Sequence, residues 1–362
     1  MSAPQIGSLL LYGAAGLCVF LVVLNRFLIL LPMGRAKLPV ILAAFLAMCG
    51  SAAIAGLWLH RFPWLLAPAT VLCFILAGEA RQAFLRRSCA GSKPIESIPH
   101  TTPGLSNPIT TTDLVTRRFE VHHPKWGGQP LRIVHLTDLH ADSGVPAEYY
   151  RRVLETAEQI EPDLAVFTGD FVTNIDCVPA LREVLRPIAG IENYAVLGNH
   201  DYWANREMIG NVVKDRGLRL LTNESVTVRV RGREVTVSGY DYPWGTREKG
   251  IKTSQNGTLN LVLSHTPDNI YRLADSNADI VFSGHYHGGQ IRVPFAGPIV
   301  VPSVYGRRFD RGHFVVNQTH LFVSSGIGAA GLMVRTYCRP DIFVVDILNG
   351  SGRGESSTRE SC

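Results

Sequence analysis

Two closely spaced Asp/His and His/His pairs, two further acidic or amide side chains and a lone histidine could do chemistry in this chain. Asp138 and His140 stand two residues apart, as do His285 and His287. On an extended loop that spacing lets both side chains reach one ion. Asp170 follows Gly169, Asn199-His200-Asp201 follows Gly198, and His265 follows Ser264. Asp and His are ligands for zinc, iron and manganese, and Asn adds a carbonyl oxygen. Asp170 has two oxygens and could bridge two ions. Ions about 3.5–4 Å apart clamp a phosphoryl group and activate a water. Each piece alone has a bland reading, such as a glycine-rich turn with exposed histidines. The set of five, in order, does not.

The elements that must position these residues are short apolar runs. Ile133–Leu136, Leu164–Phe167, Tyr194–Leu197, Leu261–Leu263 and Ile280–Phe282 each lead directly into one polar cluster. Such runs, bounded by turn residues, read as buried strands. Helix-like stretches at about 147–159 and 179–186 separate the first three, which argues for an α/β layered fold. In such sheets ligands gather beyond the carboxyl ends of the strands, so five loops are expected to converge on one place.

Taken together, Asp138-Leu139-His140, Gly169-Asp170, Gly198-Asn199-His200-Asp201, His265 and Gly284-His285-Tyr286-His287 resemble the calcineurin-like metallophosphoesterase superfamily, over about residues 131–347. The resemblance implies an α/β fold, a four-layer αββα sandwich. It implies one ion on Asp138, His140, Asp170 and His287, and another on Asp170, Asn199, His265 and His285, with Asp170 shared. His200 would stabilise charge or protonate the leaving oxygen, and Asp201 would orient His200. The cofactors expected are two divalent ions: Mn, Zn, Fe or Mg. The stretches 284–303 and 324–342 look like a bacterial, often membrane-tethered phosphodiesterase subgroup, similar to enzymes that cleave UDP-2,3-diacylglucosamine. Ala329-Ala330 and Met333 depart from that pattern on the substrate side. Arg307, Arg308 and Arg311 form a basic cluster that is either a phosphate or headgroup site or a solvated loop. The aromatic turn Tyr240–Trp244 either faces the pocket or caps a strand.

Hydrophobic residues make up 46% of the 362 and charged ones 18%, below the roughly 25% charged of a soluble domain. The apolar excess sits in three runs, Ile6–Leu24, Leu38–Leu59 and Phe62–Gly78. The first two exceed the roughly 17–20 residues a spanning helix needs; the third only reaches that bound. The first run lacks a basic n-region, which argues against a cleaved signal peptide. With three spans and the N-terminus outside, Arg26, Arg35, Lys37, Arg81, Arg86, Arg87 and Lys93 fall inside and only Arg61 outside. That arrangement predicts a multi-pass inner-membrane protein with a cytoplasmic catalytic domain. If the third run lies at the interface instead, the orientation reverses. The domains expected are a membrane segment at 1–80, a Pro/Ser/Thr-rich linker at 81–114, the catalytic domain at 115–350 and a flexible tail at 351–362.

Eight Lys/Arg against two acids give residues 1–100 a charge of +6, more than the +5 of the whole chain. These residues flank apolar runs, so no nucleic-acid partner is expected. Seven cysteines without a CxxC pair argue against a disulfide framework or a cysteine zinc site. The partners expected are a phosphoester substrate, lipid-linked or nucleotide-linked, and a membrane. Three function classes follow. The favoured one is a hydrolase of phosphodiester or pyrophosphate bonds, with phosphomonoester hydrolysis as the variant. A binding scaffold would usually have lost a ligand or the catalytic histidine, and none is missing. A transporter would need intramembrane charge, which the runs lack.

Overall fold

The computed structural model describes residues 1–28, 36–97, 108–142, 144–245, 251, 253 and 257–350. The tail expected at 351–362 and the centre of the expected linker lie outside them. The chain divides into two compact units, Met1–Arg87 with Ile299–Arg308, and Ser88–Pro298 with Phe309–Cys362.

The first unit is built on helices α1 (Ala3–Val23), α2 (Lys37–Trp58) and α3 (Leu66–Ser88). The 21 and 22 residues of α1 and α2 correspond to about 30 Å of helix at 1.5 Å per residue. They are the two described helices long and apolar enough to cross a membrane. They pack on each other where Gly16 meets Ala52, because small residues let helix backbones approach. Ser8 Oγ donates to Leu59 O at 3.1 Å, and Tyr12 OH to Trp64 O at 2.8 Å. At the other end of α1, Asn25 Oδ1 accepts Val301 N at 2.8 Å and Asn25 Nδ2 donates to Ile299 O at 3.1 Å. α3 runs well past the boundary expected at residue 80. Its second half carries Glu79, Arg81, Arg86 and Arg87, and Glu79 pairs with Arg307.

The second unit has two large sheets. The first runs in the order β1 (Ile95–Ser97), β2 (Val115–His123), β15 (Asp341–Asn349), β3 (Leu131–Leu136), β4 (Leu164–Thr168), β5 (Glu192–Val196), β6 (Arg219–Leu220). The second runs β13 (Gly312–Val316), β14 (Thr319–Val323), β10 (Ile280–Ser283), β9 (Leu259–Ser264), β8 (Arg233–Tyr240), β7 (Ser225–Val230). A small ribbon pairs β11 (Arg292–Val293) with β12 (Gly297–Pro298). Parallel strands covered on both faces read as unbroken apolar runs, and β4, β9 and β10 are buried throughout. Between the sheets, Ile133, Val166 and Val196 meet Val237, Leu261, Ile280 and Phe322. The outer face of the first sheet is covered by α4 (Ala147–Gln159), α5 (Val178–Val184) and α6 (Asn199–Asp215). On the second sheet, α7 (Ile270–Asp275) packs against β13. The α/β sandwich expected is the fold observed.

The expected linker is a correction. Residues 88–97 and 108–112 do not form a free tether. Val315 N donates to Cys89 O at 2.7 Å, Gly91 N to His313 O at 2.9 Å, and Ile109 bridges Thr336. Cys89 is disulfide-bonded, whereas five other cysteines are free; cysteine spacing carried no signal for that bond.

Candidate metal centre

Each expected ligand leaves the carboxyl end of a strand. Asp138 and His140 follow β3, Asp170 follows β4, Asn199 opens α6 after β5, His265 follows β9, and His285 and His287 follow β10. The first-sheet loops stay laddered beyond the strands: Asp138 N donates to Gly169 O and His140 N to Asp170 O, both at 2.9 Å. Asp138, His140, Asp170, His285 and His287 all have φ between 42° and 67°. L-residues avoid that left-handed region at a cost on the order of 1–3 kcal/mol each, and such strain persists where the surrounding structure imposes it at functional sites. Here it turns the side chains of three loops inward. Gly284 allows the closure, because a Cβ there would collide with Asp138 Oδ2 and Thr137 Oγ1.

Two groups of donor atoms result, each within 4.8 Å: Asp138, His140, Asp170 and His287, and Asp170, His265 and His285. Asp170 belongs to both. In the first, His140 Nε2 lies 3.2 Å from His287 Nε2 and 3.5 Å from Asp170 Oδ2, and His287 Nε2 lies 3.4 Å from Asp138 Oδ1. In the second, His265 Nε2 lies 3.2 Å from Asp170 Oδ2 and 3.1 Å from Asn199 Oδ1. All seven residues expected as ligands are thus brought together.

The hydrogen bonds say what this cluster lacks. His265 Nδ1 is 2.5 Å from Thr168 O. A carbonyl can only accept, so Nδ1 carries the hydrogen. In the neutral ring, Nε2 then presents a lone pair to two oxygens, those of Asp170 and Asn199. Three acceptors facing one another need a positive group between them, a proton or a cation. Burial would lower His265, but Asp170 and Asp138 outweigh it and raise it to about 9. Burial likewise pushes Asp138 up to about 6 and His140 down to about 3. For Asp170 burial opposes ionisation, yet His265 and His200 hold it well below the usual carboxylate range. Hard carboxylate and amide oxygens beside imidazole nitrogens suit divalent Zn, Mn or Fe.

His200 stands beside this cluster, its ring 4.8 Å from that of His140. Its Nδ1 donates to Thr173 O at 2.9 Å, leaving Nε2 for other chemistry. Asp201 corrects an expectation, since it does not orient His200. Its Oδ1 accepts Phe171 N at 2.9 Å and Val172 N at 3.3 Å, and its Oδ2 accepts Gly198 N at 2.9 Å. As the third residue of α6 it folds back over the helix start, which turns it away from the neighbouring side chain. It clamps the Asp170 loop to the Asn199 loop.

The residues of the basic cluster fall in both units. Arg307 pairs with Glu79 (Nε–Oε2 3.0 Å) and Arg308 Nε donates to Gln82 Oε1 at 3.3 Å, both within the helical unit. Arg311 belongs to the other unit, where its side chain lies beside Gly288. α3 thus supplies the side-chain partners of Arg307 and Arg308.

Of the two readings of the turn Tyr240–Trp244 the pocket-facing one holds, and three contributors, Trp203, Arg335 and Thr173, were missed by sequence reasoning. Trp244 packs on His265 and His285, with ring centroids 5.6 and 5.3 Å away, so the aromatic turn faces the cluster. Trp203 stands 5.1 Å from His200. Arg335 is fully buried and donates to the carbonyls of Ser325 (2.6 Å), Gly326 (3.2 Å) and Gly328. Thr173 lies three residues after Asp170, and that proximity was its only signal.

A two-sheet α/β sandwich with a buried Asp/His cluster at its strand ends defines a metallophosphoesterase. A family model, Calcineurin-like phosphoesterase, matches residues 131–289. The chain is 30% identical over 226 residues to phosphodiesterase YaeI of Escherichia coli (strain K12), covering 60% of this chain and 83% of that one. It is 31% identical to the uncharacterized metallophosphoesterase YkoQ of Bacillus subtilis (strain 168), with 59% and 82% covered. It is 28% identical to UDP-2,3-diacylglucosamine pyrophosphatase LpxG of Chlamydia muridarum, with 60% and 84% covered. The chain belongs to the calcineurin-like phosphoesterase family and is a metal-dependent hydrolase of phosphoric esters.

Proposed function

We propose that this chain is a membrane-anchored enzyme that uses two divalent ions to hydrolyse a phosphodiester or pyrophosphate bond of a lipid-linked or nucleotide-linked substrate. The observation that carries the reading is the sharing of Asp170 between two donor sets. Asp138, His140, Asp170 and His287 would hold one ion, and Asp170, Asn199, His265 and His285 the other. Bound ions would supply charge neutralisation at phosphorus and activation of a water.

The chain's own groups do the rest. Thr173 O fixes the His200 ring through Nδ1. When that ring is protonated, its Nε2–H is the donor available to the leaving oxygen or a non-bridging oxygen. Asp201 holds the two loops on which Asp170 and Asn199 ride. Trp244 covers His265 and His285 from one side, which limits water at that set.

Lipid linkage is supported by the two apolar helices, because an anchored site meets membrane-held substrates at raised effective concentration. The similarity to a pyrophosphatase acting on a diacylated sugar nucleotide points the same way. A cytoplasmic position is supported within the helical unit. Tyr12 bonds the start of α3 through Trp64 O, whereas Ile299–Arg308 joins Asn25, at the far end of α1, to Glu79 late in α3. α3 therefore runs the length of α1, and its basic end, with Arg86 and Arg87, shares a side with Lys37 at the start of α2.

The test is turnover by the full chain in detergent with Mn, Zn, Fe or Mg. The panel is bis(p-nitrophenyl) phosphate, p-nitrophenyl phosphate, cyclic nucleotides and UDP-2,3-diacylglucosamine. Turnover of a diester or pyrophosphate is expected. Cleavage of the monoester alone would overturn the reading.

A further inference from the structure

Beside the metal centre stands an apolar surface that the hydrolytic chemistry does not use. It is built from two loops of the second unit. The first is the ribbon of β11 and β12, whose tip is Pro294-Phe295-Ala296. The second is the segment from Gly326 to Val334. They are tied together: Gln290 Nε2 donates to Ala330 O at 3.0 Å, Ala330 N donates to Gln290 Oε1 at 2.9 Å, and Arg292 N donates to Thr336 O at 3.0 Å. Gln290 is three residues from His287, so the platform is anchored at the edge of the candidate centre.

Past Arg292, which pairs with Asp310, neither loop carries charge. Residues 293–306 and 326–334 contain no Asp, Glu, Lys, Arg or His. The side chains they present are large and apolar: Phe295 is fully exposed, Leu332 is 74% exposed, and Val293 and Val334 are about half as exposed as Leu332. Phe295 also has φ +65°. A bulky residue in the left-handed region is an outlier where Gly or Asn would sit at ease. An aromatic ring is thus held at the least favourable backbone position and in the least favourable solvent. Contiguous apolar surface of this kind marks an interaction site.

The occupant follows from chain continuity. The ribbon ends at Pro298, and the next residues, Ile299–Arg308, belong to the unit of the apolar helices, held there by Asn25 and Glu79. We infer that Phe295, Leu332, Val293 and Val334 seat in the hydrocarbon edge of a bilayer, so that a lipid-held phosphoester reaches the metal centre without leaving the membrane. This deepens the proposed function and rests on its membrane anchoring, not on its turnover. Apolar side chains backed by an anchor bind an interface by the same burial that holds amphipathic helices there.

The experiment uses the full chain reconstituted in phosphatidylcholine vesicles with or without dibrominated acyl chains, which quench tryptophan on contact. Phe295→Trp, Leu332→Trp and, as a control on exposed α4, Glu155→Trp are compared with wild type. The emission added at 295 and 332 should fall at least twofold in brominated vesicles, and that added at 155 should not. Quenching at 295 and 332 no greater than at 155 overturns the inference. Quenching that appears only when a diacylated sugar nucleotide is added also overturns it, in favour of an acyl-chain site for the substrate alone. Quenching needs no turnover, so it reads the surface even if the assigned reaction fails. In the double variant F295D/L332D, turnover of bis(p-nitrophenyl) phosphate should stay within twofold, while quenching of a tryptophan at 293 falls to the control level.

Discussion

Arg335 Nη2 lies 3.3 Å from His287 Nδ1, and neither residue is open to solvent. The guanidinium donates to carbonyls of the Ser325–Gly328 turn, and that turn lies against Asp138: Gly328 N donates to Asp138 O at 2.7 Å. Arg335 therefore braces two ligands of one candidate ion. Arg335→Met leaves those carbonyls buried without donors, at about 1–3 kcal/mol each. The melting temperature in detergent should fall by several degrees, and turnover by about 10–100-fold, the usual effect of losing a group that supports a ligand. Arg335→Lys keeps the charge but not the fork and should recover part of the loss. Unchanged melting and metal content in the Met variant would remove the bracing role.

Asp170 and His200 should separate metal binding from chemistry. Asp170→Asn removes the shared carboxylate, so both equivalents of metal are expected to drop, with loss of turnover. His200→Ala leaves every donor atom in place. Metal content should stay constant, while turnover falls by about 10²–10⁴-fold, the range for a general acid. Metal analysis and bis(p-nitrophenyl) phosphate turnover on the two variants check this, and an H200A protein with normal turnover would sink the role given to His200.

The strand-end clusters were legible in the sequence because each ligand follows an apolar run within a few residues. The partners of those ligands were not. Thr168 holds His265 and Thr173 holds His200 through carbonyl oxygens, which side-chain identity does not reveal, although Thr173 Oγ1 also bonds His140 Nδ1 at 3.2 Å. Arg335 reaches His287 across 48 residues, because β15 inserts between β2 and β3, and no local pattern signals that insertion. Asp201 sits next to His200 in the chain, which suggested a pair, but successive residues on a helix point about 100° apart. The pairing of Arg307 with Glu79 joins residues 228 apart and is equally silent in the sequence.

Asp201 yields a prediction that tells clamping from orienting. With three backbone N–H donors aimed at it, the carboxylate has no acceptor for a proton, even though burial and Asp170 push it up to about 8. Asp201→Asn turns an NH₂ group toward at least one of those donors. A loss of about 2–3 kcal/mol of stability is expected from the disrupted charge-assisted bonds, with turnover falling in step with folded fraction. The pH profile of the surviving activity should not move. A shifted profile would mean that Asp201 acts on His200 after all.

A second histidine group, away from the metals, should make the fold acid-sensitive. Ser92 N donates to His313 Nδ1 at 2.8 Å, so His313 Nε2 carries the hydrogen toward His320 Nδ1 at 2.9 Å. A proton added to His313 Nδ1 breaks the bond from Ser92, and one added to His320 Nδ1 breaks the bond between the rings. Around the pair stand Phe119, Phe322 and His123, which is itself close to Asp279 and Lys125. Burial pushes His313 down to about 3 and His320 to about 4, against about 6.5 unfolded. Between pH 6.5 and 4 the unfolded chain binds protons that the folded chain refuses. Stability is thus full above pH 6.5 and falls through that window, by about 1.4 kcal/mol per pH unit for each histidine. Melting of the detergent-solubilised chain at pH 7 and 5, with and without His320→Asn, reads this. The variant should lose less on acidification, and an equal loss would place the acid sensitivity elsewhere.

The orientation of the membrane segment is open to a direct measurement. Three passes put Arg26, Arg35, Lys37, Arg81, Arg86, Arg87 and Lys93 on one side, and two passes split them. Glu79 and Asn25 are held by the same ten-residue segment, Ile299–Arg308. Glu79 therefore stands at the Asn25 end of the bundle rather than at the Tyr12 end. An alkaline phosphatase fused after Lys93 should then be inactive and a cytoplasmic reporter at the same point active, with the pattern reversed for fusions at Arg61. Replacing Arg81, Arg86 and Arg87 with Gln removes three of the seven basic residues from the retained side and should raise the fraction of inverted chains. Glu79→Gln should weaken the hold of Arg307 without changing the topology, because acids contribute little to orientation. Activity of the phosphatase fused at Lys93 in the unmodified chain would reverse the assignment and put the metal centre outside.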